Sequence, residues 1–170
     1  MKLRIAQTKD LNDIMRIIGD AQLYLASLGI DQWQDGYPTI EQIHLDLANN
    51  DSFVVVNDTG EVIATTVFTT KIEPTYKQIE GEWLSSVDAQ YGVIHRLAVA
   101  AEYRKSGVAK FVFETCAEEL KERDVESMRI DTHRENLGMQ YLLKRQGYSY
   151  CGVIYLENGD ERLAYELLLS

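Results

Sequence analysis

Six consecutive residues, Arg104-Lys105-Ser106-Gly107-Val108-Ala109, set two cations, a hydroxyl and a glycine where an apolar run gives way to helical periodicity. The run before them, Gly92 to Val99, is hydrophobic on both faces, as a central strand should be. The helix after them, from Gly107 to about Arg123, gathers Val108, Ala109, Val112, Phe113, Cys116, Ala117 and Leu120 into one stripe. A strand, a short basic loop and a helix start together make a place to hold phosphate. First-turn amides lack intrahelical acceptors, the helix dipole is positive there, and Gly107 lets a ligand approach the backbone. Arg104 and Lys105 add charge at the rim, and the small Ala109 leaves space at the first turn. The loop is neither GxxxxGKS/T nor GxGxxG. Taken alone, a basic helix start also fits plain dipole compensation at a surface.

Proton chemistry has two candidates. His95 and Arg96 are adjacent in an otherwise apolar strand, so regular alternation sends them to opposite faces. Imidazole titrates near neutrality, which suits His95 to taking a proton from an ammonium; a core histidine with a hydrogen-bonded partner is the other reading. Arg96 either pairs with a carboxylate or anchors a substrate. His133 follows Asp131-Thr132 at the end of a later strand and is the second candidate base, or a surface loop residue. Trp33, Gln34 and Tyr37, with Glu82 and Trp83, offer an aromatic and acidic wall for a cation. Aromatic residues in loops also serve as packing plugs.

The remaining pattern supplies the frame. Leu3 to Ala6 alternates like a strand. Thr8 or Asp10 can cap a first helix, in which Leu11, Ile14, Met15, Ile18, Ala21, Leu25 and Leu28 recur at helical spacing before Gly29. Thr39 starts a second helix that ends near Asn49-Asn50. Strands over 52–56 and 62–70 flank Asn57-Asp58-Thr59-Gly60, a hairpin signal. Between Lys71 and Tyr91 the pattern blurs into a long excursion, and such excursions are often functional. Ser127 to Asp131 is a strand, Asn136 to Gln146 a helix stopped by Gly147, and two last strands turn around Asn158-Gly159. No repeat or linker interrupts residues 1–170, which read as a single domain.

Bulk properties narrow the function. The chain has 170 residues, 45% of them hydrophobic and 26% charged, values that allow one well-filled core. A formal net charge of -10 argues against nucleic acid, which needs a basic stripe, and tolerates a cationic partner. Cys116 and Cys151 have neither CxxC nor Cys/His spacing, so packing is expected and no metal. No apolar run is long enough for a membrane span, and the expected setting is the reducing cytoplasm.

The hexad from Arg104 to Ala109 resembles the Arg/Gln-x-x-Gly-x-Gly/Ala acetyl-CoA signature of the GCN5-related N-acetyltransferase (GNAT) superfamily. The strand Ile94 to Val99 resembles the one that precedes it there. Met128 to Thr132, Asn136, Met139, Leu143 and Gly147-Tyr148 resemble the later strand-helix block. The order of elements agrees from residue 2 to about 169. The resemblance implies an α/β (α+β) fold: a mixed, mostly antiparallel sheet flanked by helices and splayed between its two middle strands. It implies acetyl-CoA as co-substrate in that gap, bonded by backbone from Leu97 through Ala98 to Val99. Amides of Arg104, Lys105, Ser106, Gly107, Val108 and Ala109 would hold the pyrophosphate, and Asn136 would contact the cofactor arm. The activity implied is direct transfer of an acetyl group to an amine, with a small amine, an amino acid, a peptide N-terminus and a protein lysine all open as acceptors. Members often pair, so a homodimer is open too. One departure stands out: many members carry a general-acid tyrosine seven residues after that asparagine, and here the position is Leu143. Tyr141 lies two helical residues away, about 200° around the helix, and does not inherit the role. That departure keeps alive a second reading, a module that binds acyl-CoA without turning it over. A third reading, a generic α/β domain whose loop holds another phosphate ligand, leaves the order of the later motifs unexplained.

Overall fold

The computed structural model describes residues 1–170. Its helices are α1 (Leu11–Ser27), α2 (Ile40–Ala48), α3 (Val108–Glu122) and α4 (Leu137–Arg145). Its strands are β1 (Lys2–Ile5), β2 (Ser52–Val56), β3 (Val62–Thr69), β4 (Glu80–Gly81), β5 (Tyr91–Val99), β6 (Ser127–Thr132), β7 (Ser149–Tyr155) and β8 (Glu161–Leu168). They form one eight-stranded sheet in the order β1-β2-β3-β5-β6-β8-β7-β4. The chain divides into two compact units, Met1–Phe68 with His95–Thr115, and Thr69–Ile94 with Cys116–Ser170, so β5 and α3 each run through both.

In the first unit β1, β2 and β3 pair antiparallel, with Leu3 opposite Val55 and Val54 opposite Thr65. The tight connection between β2 and β3 is built on Asn57, whose Oδ1 accepts from the amides of Thr59 and Glu61 and from the Thr59 hydroxyl. Gly60 supplies the positive φ of 86° that closes the turn. The inner face of α1 packs Ile14, Ile17 and Ile18 against Ile43, Val54, Val62 and Ala98. α1 ends as its sequence requires, at Gly29 with φ 70°. Its start differs from expectation. Asp10 does not cap the helix; its carboxylate accepts from both terminal nitrogens of Arg4, at 2.8 and 2.9 Å, and from the Gln7 amide. A 3-10 turn, Thr8–Asp10, therefore precedes α1, and the Arg4 bond holds the Asp10 carboxyl below its usual range. For α2 the expected cap is present, since Thr39 Oγ1 accepts from the Gln42 amide.

In the second unit β6, β8 and β7 pair antiparallel, and β4 adds to β7. Tyr76, Tyr91, Val93, Ile154 and Ala164 form its apolar cluster. β5 joins β6 in parallel over only three pairs, from Tyr91↔Ser127 to Val93↔Arg129. β5 continues to Val99 and β6 to Thr132, so the ladder opens midway. This is the splay between the two middle strands that the sequence led us to expect.

One residue of β5 has the left-handed backbone conformation found at β-bulges. Arg96, inside β5, has φ 50°. That left-handed turn breaks the regular alternation, so the opposite-face argument for His95 and Arg96 does not apply at this point of the strand.

Candidate functional site

The basic loop has a conformation that its sequence only partly announces. A 3-10 turn, Ala101–Tyr103, comes after β5; Lys105 then takes φ 61° and Gly107 φ 88° before α3 begins at Val108. Alternating hand along the backbone turns successive N–H groups toward one side, the arrangement that cradles anions. The amides of Lys105, Gly107, Val108 and Ala109 find no acceptor within the chain, whereas Arg104 bonds to the Ala101 carbonyl. A Cβ on Gly107 would meet nothing within 4 Å, so the glycine is set by φ rather than by crowding.

Side chains brace this loop from its own unit. The Arg104 guanidinium donates to the Asp20 carbonyl at 3.1 Å and lies 4.3 Å over the Tyr24 ring. Ser106 turns its hydroxyl back onto the Tyr103 carbonyl, so the hydroxyl is used to shape the turn. Tyr103 in turn donates to Glu61 and accepts from Asn57 in the β2–β3 turn.

Arg96 is not a loose anchor. Its Nε and one terminal nitrogen bond both oxygens of Asp46 on α2, at 2.9 and 2.6 Å, and the other donates to the Tyr37 hydroxyl at 2.7 Å. Asp46 is 4% exposed. Burial works against the charge on Arg96, and Tyr37 and Asp46 outweigh it. Of the proposed wall residues, Tyr37 is thus brought together with Arg96. Trp33, at φ 63°, packs against the core of the same unit and lines an open cavity of about 540 Å³ beside α1. The backbone of β5 that includes Leu97, Ala98 and Val99 also belongs to this unit, and the His95 carbonyl there accepts from Thr66 Oγ1 at 3.2 Å.

The second unit holds the rest. Asn136 caps α4: its Oδ1 accepts from the Met139 amide at 3.1 Å. His133 sits in the turn ahead of it, with Nδ1 accepting from the Glu135 amide at 3.1 Å. That bond puts the proton of the neutral ring on Nε2. At the end of β6, Thr132 has a buried hydroxyl with no partner, and Asp131 accepts from the Tyr76 hydroxyl at 2.6 Å. Tyr76 is fully buried, and burial first, then Asp131, pushes its hydroxyl well above the usual phenol range. It therefore stays protonated as a donor.

Trp83 is engaged in packing: its indole donates to the Tyr76 carbonyl at 3.0 Å, and Arg129 lies 4.4 Å over its ring. Arg129 also lies 4.1 Å over the Tyr91 ring. Glu82 is exposed, held only through its backbone to Cys151. Leu143 is fully buried and Tyr141 is 66% exposed, the opposite-face arrangement given by their spacing. Cys116 is buried, and its thiol is pushed up to about 12 by burial and then by Glu119, which suits packing rather than reactivity. No group of three or more His, Cys, Asp or Glu side chains is placed to hold a metal. No helix is long and apolar enough to cross a membrane.

Sequence reasoning missed Asp46, Tyr76 and Glu166. Asp46 carried a signal, because it sits three residues after Ile43 on the inner stripe of α2. Comparison with known proteins now adds to this geometry. The model of a family described as Acetyltransferase (GNAT) family matches residues 15–148. A GNAT-family acetyltransferase structure from Streptococcus agalactiae 2603 is similar over 99% of this chain and 95% of its own, with 32% identity and a TM-score of 0.88. One from Listeria monocytogenes 4b F2365 shares the fold at 17% identity and a TM-score of 0.77, over 99% and 94% of the two chains. A ribosomal-protein-alanine N-acetyltransferase from Brucella melitensis does so at 18% and 0.69, over 99% and 100%. Among curated proteins no match is found.

Proposed function

We infer that this chain, which belongs to the acetyltransferase (GNAT) family, is an N-acetyltransferase that moves an acetyl group from acetyl-CoA to a primary amine. The observation that carries this reading is the row of amides without acceptors at Lys105, Gly107, Val108 and Ala109, shaped by the positive φ of Lys105 and Gly107. Such a row fits a pyrophosphate. Residues 1–170 would act as one catalytic domain. Leu97 to Val99 would bond the pantetheine arm through their backbone, and Asn136 would contact the cofactor arm. The partnerless hydroxyl of Thr132, just beyond the open ladder, supports a polar ligand at the end of β6.

Transfer needs a neutral amine, a polarised thioester carbonyl and a departing thiolate. The amine attacks the carbonyl carbon, the C–S bond breaks, and the amine proton passes to a base. Of the two histidines, His95 is the better candidate. His133 would have to give up its bond from Glu135 to free Nδ1, and its Nε2 already carries a proton. The thiolate leaves without a tyrosine from α4, because Leu143 is fully buried at that position. The acceptor is a small amine, an amino acid or a peptide, and the reaction runs in the reducing cytoplasm, where Cys116 and Cys151 stay unpaired.

The same Leu143 favours one alternative, a module that binds acyl-CoA without turnover. The first test is calorimetric titration with acetyl-CoA, with adenosine and free phosphate as controls. Saturable binding lost in Gly107→Trp, which puts a bulky residue at the positive φ that shapes the cradle, is the expected result. Equal affinity in the variant refutes the cradle. CoA release with amines then separates the enzyme from the module.

A further inference from the structure

The cavity of about 540 Å³ beside α1 is walled by the helix on one side and by the loop carrying Trp33 and Gln34 on the other. That loop is tied in place. Gln22 Nε2 donates to the Tyr37 carbonyl, and Gln34 Nε2 donates to the carbonyls of Gln22 and Gln32, each at 3.0 Å. The cavity is open to solvent on its outer side, and its volume falls within the range of small-molecule sites.

Three residues at the cavity stand out. Gly19 lies inside α1, where glycine costs about 1 kcal/mol relative to alanine, yet a Cβ there would meet nothing within 4 Å. Packing within the chain does not demand the glycine, and the missing side chain leaves the space over the helix open. Trp33 holds φ 63°, a left-handed conformation that is costly for a bulky side chain. The Asp20 carboxylate makes no side-chain hydrogen bond or ion pair, although the Asp20 carbonyl accepts from Arg104. The neighbouring cation, Arg16, is already matched by Asp13 at 3.6 Å and Glu102 at 4.0 Å. The unmatched charge of the cavity is therefore negative, and Met15, Leu23 and Trp33 supply its apolar lining.

From this we propose that the cavity binds a small primary ammonium with an apolar, planar body: the ammonium on Asp20, the body against Trp33 and Leu23, in space cleared by Gly19. Its use as the acetyl acceptor rests on the acetyl-transfer reading; its binding does not. The assignment moves the negative charge of the acceptor site from Glu82 to Asp20.

The test is calorimetric titration of the full chain with 2-phenylethylammonium and with 3-phenylpropanoate, an anion of the same shape. Saturable binding of the amine alone is expected. Asp20→Asn weakens it at least about tenfold, the loss of one charge-assisted contact, and Gly19→Leu abolishes it. Gly19→Ala separates site from scaffold: it raises Tm by roughly 2–4 °C through helix propensity and still weakens the amine. Equal binding of the anion, unchanged affinity in Asp20→Asn, or no saturation by about 30 mM overturns the proposal. Acetyl-CoA titrated in parallel keeps the readings apart. Acetyl-CoA binding without amine binding sinks the cavity site alone, and amine binding without acetyl-CoA binding sinks the transfer reading alone.

Discussion

Replacing Glu166 by glutamine should be among the most damaging single changes available in this chain. Glu166 is 0% exposed and Arg129 3% exposed. One carboxylate oxygen accepts from Arg129 Nε at 2.9 Å, from Ser127 Oγ at 2.6 Å and from the Ser85 hydroxyl. The other accepts from the amides of Leu84 and Ser85. Glutamine keeps one acceptor oxygen, turns a donating amide NH2 toward other donors, and leaves the Arg129 guanidinium buried without its counter-charge. Breaking a buried pair in this way costs about 3–5 kcal/mol. For a chain of this length that is a fall in Tm of roughly 6–20 °C. Thermal and urea unfolding monitored by circular dichroism would measure it. The paired variant Arg129→Met/Glu166→Leu should lose less than the two single changes together, by about 2 kcal/mol, because no lone charge is left behind. A single-variant loss under about 1 kcal/mol, or strict additivity of the pair, would refute the argument. There is also a pH signature. Burial pushes the Glu166 carboxyl up, but the bonds from Ser127, Ser85 and Arg129 outweigh it and hold it below the usual range. A lowered native value means that its contribution is complete above the unfolded glutamate range and is lost as pH falls through the native value. Glu166→Gln should lack that part of the acid sensitivity.

Three further changes probe the first unit, the proposed base and α4. Arg96 sits at φ 50°, so Arg96→Gly should keep the bulge while leaving Asp46 unpaired, whereas Arg96→Ala adds strain; urea midpoints should place alanine below glycine by about 1 kcal/mol. Equal midpoints would show that the positive φ is not a constraint. His95→Ala should remove the limb of the pH–rate profile that belongs to an imidazole base, read as CoA release with an amine that supports turnover. A profile identical to the unaltered chain would take that role away from His95. Tyr141→Phe should leave turnover unchanged, since the side chain is 66% exposed on the face opposite Leu143; a large loss would mean that helical phase misleads here.

The elements that were legible in the sequence share one property: their signals are local. α3 is written in a stripe of seven apolar residues, the β2–β3 turn in Asn57 and Gly60, and the end of α1 in Gly29. β4 was not legible, because Glu80 and Gly81 become a strand only by close backbone approach to Cys151 and Gly152. Gly81 at φ 136° and Gly152 at φ 145° face each other there, and a Cβ on either would run into the backbone of its partner strand. Buried charge was half legible. Arg129 and Glu166 each interrupt an apolar strand, and the register of β6 with β8 sets them opposite each other, but nothing local in either strand names the other.

Arg96 shows why the site was harder to read than the fold. Alternation is a rule about extended backbone, and it assigned His95 and Arg96 to opposite faces. The strand leaves that conformation at Arg96 itself, where the positive φ is offset by a guanidinium that finds Asp46 from α2 and Tyr37 from the loop before it. Those partners are 50 and 59 residues away in sequence. A bulge whose compensation lies that far off leaves no trace in the strand's own residues, apart from one arginine in an apolar run. A site built where a strand departs from its regular form is therefore least predictable at the residues that matter most to it.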